Sequence, residues 1–209
     1  DGAGTLYDAS LAEIGRRVTA DITGVSARIE QSAKRLWVRQ AILKGEKMDM
    51  VVQKCTELGV TGMTPFHSSR CQGRLDPRQA RKKQARWQRI GLAACKQCLR
   101  LQPMQLAQSL RYDDFMVPGS ETEGVLKLLF WEEEKQVHLQ DIAAIGETQS
   151  IDLLFGPEGG LSPQEIALAR AQGWQTVSLG DRILRAETAT ISGVAIVQHL
   201  AGNLQGQGN

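Results

Sequence analysis

Residues 153–170, LLFGPEGGLSPQEIALAR, decide how this chain is read. Ile151 to Phe155 is an apolar run of strand length. Gly156-Pro157-Glu158-Gly159-Gly160 follows, with three glycines and a single carboxylate. Ser162-Pro163-Gln164-Glu165 then supplies a side-chain cap, a proline for the first helical position and a capping-box glutamate, so a helix starts near Pro163. The loop therefore lies at the carboxyl end of a buried strand. In open α/β sheets ligands bind there, and glycines let the backbone adopt positive φ or approach a neighbour closely. Taken alone, the loop is equally well a plain βα turn.

Its surroundings repeat the pattern. Thr176 to Leu179 reads as the next strand, Gly180-Asp181-Arg182-Ile183-Leu184-Arg185 as its loop, and Ala186-Glu187-Thr188-Ala189 as the start of a helix. Upstream, Leu129-Phe130-Trp131 ends another apolar run. Spacing predicts strand, helix, strand, helix over 125–131, 136–145, 150–155, 163–172, 175–179 and 187–201, an α/β unit with a mostly parallel sheet. Three adjacent strand ends can build one pocket from backbone donors and acceptors, which suits an adenine edge in an apolar slot. The chain has no G-x-G-x-x-G after a strand, no P-loop and no G-x-S-x-G elbow.

The first thirty residues read as short extended pieces, with Val18, Ala20 and Ile22 alternating. Residues 35–43 fit a strand or the start of a helix; the Lys44-Gly45 break favours a strand. Met48, Val51, Val52, Cys55 and Leu58 recur at helical spacing before Gly59. Asp76-Pro77 opens a basic helix to about Arg100, and residues 104–123 read as strand and loop.

Charge is segregated. The net charge is +2, but residues 1–118 carry 20 basic against 11 acidic side chains, and residues 119–209 carry 5 against 12. From Arg70 to Arg111 there are 11 bases and one acid, Asp76. Such asymmetry fits a polyanionic partner; the competing reading is a solvated helix face. No apolar run approaches the roughly 20 residues of a membrane span, and the first residues lack the basic start and apolar core of a signal peptide. Four cysteines without a secretion signal suggest reduced thiols and a cytoplasmic setting. Cys95-x-x-Cys98 has no second ligand pair, so no metal is expected.

FGPEGGLSPQEI and SLGDRILRAETA occur in order, preceded by KGEKMDMVVQKCTELGVTGMTPFHSSR and RWQRIGLAACKQCLR. With these segments the chain resembles the ribosomal RNA small subunit methyltransferase E family of the SPOUT superfamily, over residues 35–201. The resemblance implies S-adenosyl-L-methionine as cofactor and methylation of N3 of a uridine in 16S rRNA of the 30S subunit. It also implies a trefoil-knotted methyltransferase domain over 33–202, a homodimer, and a tail at 203–209. Residues 1–32 would be the remainder of an N-terminal PUA-like, OB-like β-barrel whose earlier strands precede Asp1. The family often has an acid where Ala94 stands and a glutamate where Ser69 stands.

On this reading Leu129, Phe130, Trp131, Phe155, Gly156, Pro157, Glu158, Gly159, Leu179, Gly180, Ile183, Leu184 and Ala189 build the cofactor pocket. Arg182 and Arg185 are candidates to hold charge moving onto the uracil oxygens. Glu187 either accepts the N3 proton or holds Arg185 at the helix start. Glu158 fixes its loop by accepting backbone N–H bonds, or acts as a second acid. Lys47, Lys54, Arg70, Arg74, Lys82, Lys83, Arg86 and Arg100 are the phosphate-contact candidates. Two rivals remain open: a non-catalytic RNA-binding protein with a vestigial pocket, and an enzyme for another nucleotide.

Overall fold

The computed structural model describes residues 2–28, 34–71, 76–117 and 124–204. Arg74, the 32/33 boundary and residues 205–209 of the tail lie outside the described residues. Among those described, nine strands and six helices follow one another. β1 (Thr5–Ile14) and β2 (Val18–Arg28) pair as an antiparallel hairpin. Then come β3 (Arg35–Ala41), α1 (Lys47–Glu57), β4 (Gly62–His67), α2 (Pro77–Gln97), β5 (Gln105–Leu106), β6 (Leu110–Arg111), α3 (Tyr112–Phe115), β7 (Val125–Phe130), α4 (Ala144–Glu147), β8 (Ser150–Phe155), α5 (Pro163–Ala171), β9 (Gln175–Val177) and α6 (Ala186–Leu200).

The main sheet runs β5-β4-β3-β8-β7-β9, with β6 also on β4 and every pair parallel. Parallel sheets are covered on both faces, which is why the central strands are nearly continuous apolar runs. Alternation sorts them into two cores. Leu128, Phe130, Leu153 and Phe155 face Val51, Val52, Val194 and Val197 of α1 and α6. Leu129 and Leu154 face Ile166 and Ala169 of α5, with Phe66 and Tyr112. The helix starts are built by local chemistry. Asp76 accepts the N–H groups of Arg78 and Gln79 at 2.8 and 2.9 Å, and Ser162 and Glu165 form a reciprocal capping box.

Two expectations are corrected. Residues 136–145 do not form one helix: the described chain has a 3-10 turn at Leu139–Asp141 and then α4. Residues 104–123 include the short helix α3, whose Tyr112 hydroxyl donates to the Glu165 carbonyl at 2.7 Å. In the hairpin, Tyr7, Ala9 and Leu11 lie opposite Val25, Ile22 and Ala20, forming one apolar face. Leu11 and Ile22 are 65% and 66% exposed there.

Candidate active site

The carboxyl ends of β7, β8 and β9 surround a cleft of about 380 Å³. Phe130, Trp131, Phe155, Gly156, Pro157, Glu158, Leu179, Gly180, Ile183, Leu184 and Ala189 line it, as do Arg182 and Arg185. The loops supply space rather than bulk. A Cβ on Gly156 would sit 3.3 Å from Leu161 Cγ, and Gly160 and Gly180 hold φ of +67° and +98°, which favour glycine. The Phe130 and Phe155 rings stack 4.3 Å apart at 10° and form an apolar floor.

Two residues expected in the pocket lie elsewhere. Leu129 is fully buried in the α5-side core, because neighbours on a strand face opposite sides and Phe130 takes the cleft side. At Gly159 a Cβ would meet Arg70 Cβ at 3.6 Å, so this glycine serves a close approach and not the cleft lining. Lys47 at the start of α1, Glu132 and Lys135 after β7, and Ser178 and Asp181 after β9 also line the cleft; as polar residues outside the strands they carry no apolar or glycine signal that marks them as lining.

The loop is braced from outside. Glu165 accepts from Ser69 N–H at 2.7 Å, Ser69 Oγ at 3.0 Å and Ser162 N–H at 2.8 Å. Ser69, standing where the resembled family often has glutamate, suits this contact because a hydroxyl donates to the Glu165 carboxylate and a second carboxylate would repel it. Arg70 Nη1 donates to the Gly159 and Leu161 carbonyls at 3.0 and 3.4 Å. Glu158 Oε1 accepts the Lys44 N–H at 3.0 Å and lies 3.3 Å from Lys47 Nζ. Burial alone would raise the Glu158 pKa; the Lys44 N–H and the Lys47 cation outweigh it, and the value is lowered.

Glu187 is buried in the first turn of α6, and its Oε2 has no hydrogen-bond partner. Its nearest cation is Lys47 Nζ at 3.4 Å, not Arg185. Lys47 thus stands between the carboxylate of the glycine loop and that of α6. Other cations expected to meet phosphate are occupied internally. Lys54 pairs with Glu57 at 2.8 Å, Arg86 with Asp49 at 2.6 Å, and half-buried Arg100 donates to the Thr56 and Val60 carbonyls at 2.8 and 3.0 Å. No group of three or more His, Cys, Asp or Glu side chains among the described residues is placed to hold a metal.

A model describing an RNA methyltransferase domain matches residues 30–198. Ribosomal RNA small subunit methyltransferase E of a Synechocystis species is 35% identical over 210 residues, covering 96% of this chain and 64% of its own length. The chain belongs to the ribosomal RNA small subunit methyltransferase E family. Another curated relative in this family, from Aquifex aeolicus, is 34% identical over 73% of this chain and 62% of its own length, so the chain spans less than two thirds of both. A family structure from Neisseria gonorrhoeae, bound to S-adenosyl methionine, matches with a TM-score of 0.86 at 33% identity, over 96% of this chain and 81% of that one. A Legionella pneumophila structure with bound SAM gives 0.86 at 34%, over 95% and 80%. A tRNA modifying enzyme from Aquifex aeolicus, at 14% identity and a TM-score of 0.51 over 83% of this chain and 77% of that one, shares the fold alone.

Proposed function

We propose that this chain binds S-adenosylmethionine in the β7–β8–β9 cleft and methylates N3 of a uridine in 16S rRNA of the small ribosomal subunit, in the cytoplasm. The observation that carries this reading is the single cleft formed at three consecutive parallel strand ends. The residues present fit the cofactor. An apolar floor of stacked rings and glycine backbone suits the adenine, and the carboxylates of Glu132, Glu158 and Asp181 suit a cationic ligand. The two SAM-bound structures support the same assignment.

S-adenosylmethionine supplies a methyl on a positively charged sulfur, open to in-line attack. The chain positions the attacking base and manages charge. The uracil N3 proton must leave, and Glu187, behind the cleft residue Lys47 and ion-paired with it at 3.4 Å, is the carboxylate that takes it up. Arg182 and Arg185, exposed on the loop after β9, meet the negative charge that spreads to the uracil oxygens.

Three finer features belong to the same proposal. The hairpin is part of an OB-like RNA-binding barrel, supported by its exposed apolar face. The C-terminal domain carries the trefoil knot. The chain works as a homodimer, supported by Ile183 on the cleft wall and Ile196 in the adjoining pocket, which are 87% and 42% exposed.

Calorimetric titration of S-adenosylhomocysteine tests the cleft, with Gly156→Val alongside. Micromolar binding lost in the variant is expected; no binding by the parent chain overturns the reading. Reverse transcription across 16S rRNA from treated 30S subunits tests the position. N3 methylation blocks base pairing and halts the transcriptase, whereas labelled product without a halt refutes N3.

A further inference from the structure

The basic run of α2 resolves into two populations. One face of the helix carries Trp87, Gly91, Ala94 and Cys95 into the core against α1. On the opposite face Arg78, Lys82, Arg89 and Lys96 fall within about 40° of one another at 100° per residue, over about 27 Å of axis. All four are exposed. None forms an ion pair with a carboxylate among the described residues, unlike Lys47, Lys54, Arg86 and Arg170. No acid occurs between Asp76 and Asp113. A helix face kept merely soluble carries both signs; this one carries a single sign.

The stripe is anchored beside the cleft. Arg86, one turn from Lys82, is held at 2.6 Å by Asp49 in the first turn of α1, the turn whose Lys47 lines the cleft. Lys83 acts electrostatically on His67, at the carboxyl end of β4; partial burial and then this cation lower the His67 pKa. The amino-terminal half of α2 therefore lies at the sheet edge on which the cleft opens.

We infer that Arg78, Lys82, Arg89 and Lys96 form a phosphate track, along which the backbone of the substrate RNA runs away from the cleft. The inference rests on the methyltransferase reading for which RNA it is, but not for its physics. Phosphate contacts are independent of sequence and release counterions, so the track sets the salt dependence of binding.

The test is fluorescence anisotropy of a labelled 20-nucleotide single-stranded RNA with the full chain, titrated at several potassium chloride concentrations. The parent chain is expected to lose affinity steeply with salt. R78Q/K82Q/R89Q/K96Q is expected to flatten the slope of log K against log salt by about 3, from about 0.7 per phosphate contact. R78Q/K82Q and R89Q/K96Q should each remove about half of that. S-adenosylhomocysteine binding should be unchanged in all three, which also reports that they fold. An unchanged slope in a variant that still binds S-adenosylhomocysteine overturns the track, as does salt-independent binding by the parent. If the parent chain fails to bind S-adenosylhomocysteine, the methyltransferase reading falls; the slope, with melting temperature reporting folding, still decides the track.

Discussion

Gly193→Ala sets helix propensity against packing. Gly193 is buried in the middle of α6, and an alanine Cβ there would stand 2.9 Å from two Phe155 ring carbons and 3.0 Å from Phe130 Cε1. Carbon atoms pack at about 3.5–4.0 Å, so the helix or the rings must move by roughly 0.5–1 Å. The rings cannot turn away, because they are stacked and buried to 8% and 2% exposure. Alanine gains about 1 kcal/mol over glycine inside a helix, and overpacking costs about 1–3 kcal/mol. The net is a destabilisation of about 0–2 kcal/mol. The melting temperature should fall by about 0–8 °C, at about 2–4 °C per kcal/mol for a chain of this size. Because both rings line the cleft, affinity for S-adenosylhomocysteine should fall as well, by about tenfold or 1.4 kcal/mol. Calorimetric titration and thermal melting on the same preparations separate the two effects. A variant that melts higher than the parent and binds equally well would show that α6 accommodates a methyl group without disturbing the floor, and would refute the reasoning.

Lys47→Met removes the cation beside Glu187 and should destabilise by about 1 kcal/mol, since the Lys47 side chain is 35% exposed and partly screened; adding Glu187→Gln should recover most of it in a denaturant double-mutant cycle. Glu134 is held ionised by the Thr176 hydroxyl and then by backbone N–H groups, and its pKa is lowered, as is that of Glu158. Both contributions are present above the ordinary carboxylate value near 4.5 and disappear as pH falls through the lower folded values; the urea midpoint should drop there, and Glu134→Gln should make the drop shallower. Burial pushes the Cys55 thiol up to about 12, so Cys55 should react with a thiol reagent only at the rate of unfolding, while half-buried Cys71 reacts sooner; equal rates by mass spectrometry would contradict that burial.

What could be read from sequence follows the range of the interactions involved. Strands at 150–155 and 125–131, the Ser162 capping box and the Asp76 cap rest on signals a few residues apart, and they appear in the structure. Residues 136–145 misled because Leu139, Ile142 and Ile145 recur at near-helical spacing and are buried. Longer-range contacts decide that segment instead. His138 bridges to Ser178 beside β9, and Glu134 collects the N–H groups of Lys135, Gln136 and Val137, which bends the chain before a helix can start. Leu129 was misplaced for a different reason: strand parity was available in the sequence and assigns it to the face opposite Phe130.

Cations were the least legible part, because a positive charge shows its sign locally and its partner only in the fold. Lys54 meets Glu57 three residues away, but Lys47 meets Glu187 and Glu158 from more than a hundred residues away, and Arg100 donates to carbonyls in the last turn of α1 and the connection to β4. Charge spent on holding the fold is not available to RNA, so the interface is defined by subtraction. Within one turn of α1, Lys47 faces the cleft carboxylates while Asp49 holds Arg86 of α2. A shift of that turn would therefore move the Lys47 side of the cleft and the α2 helix that carries the cationic stripe together.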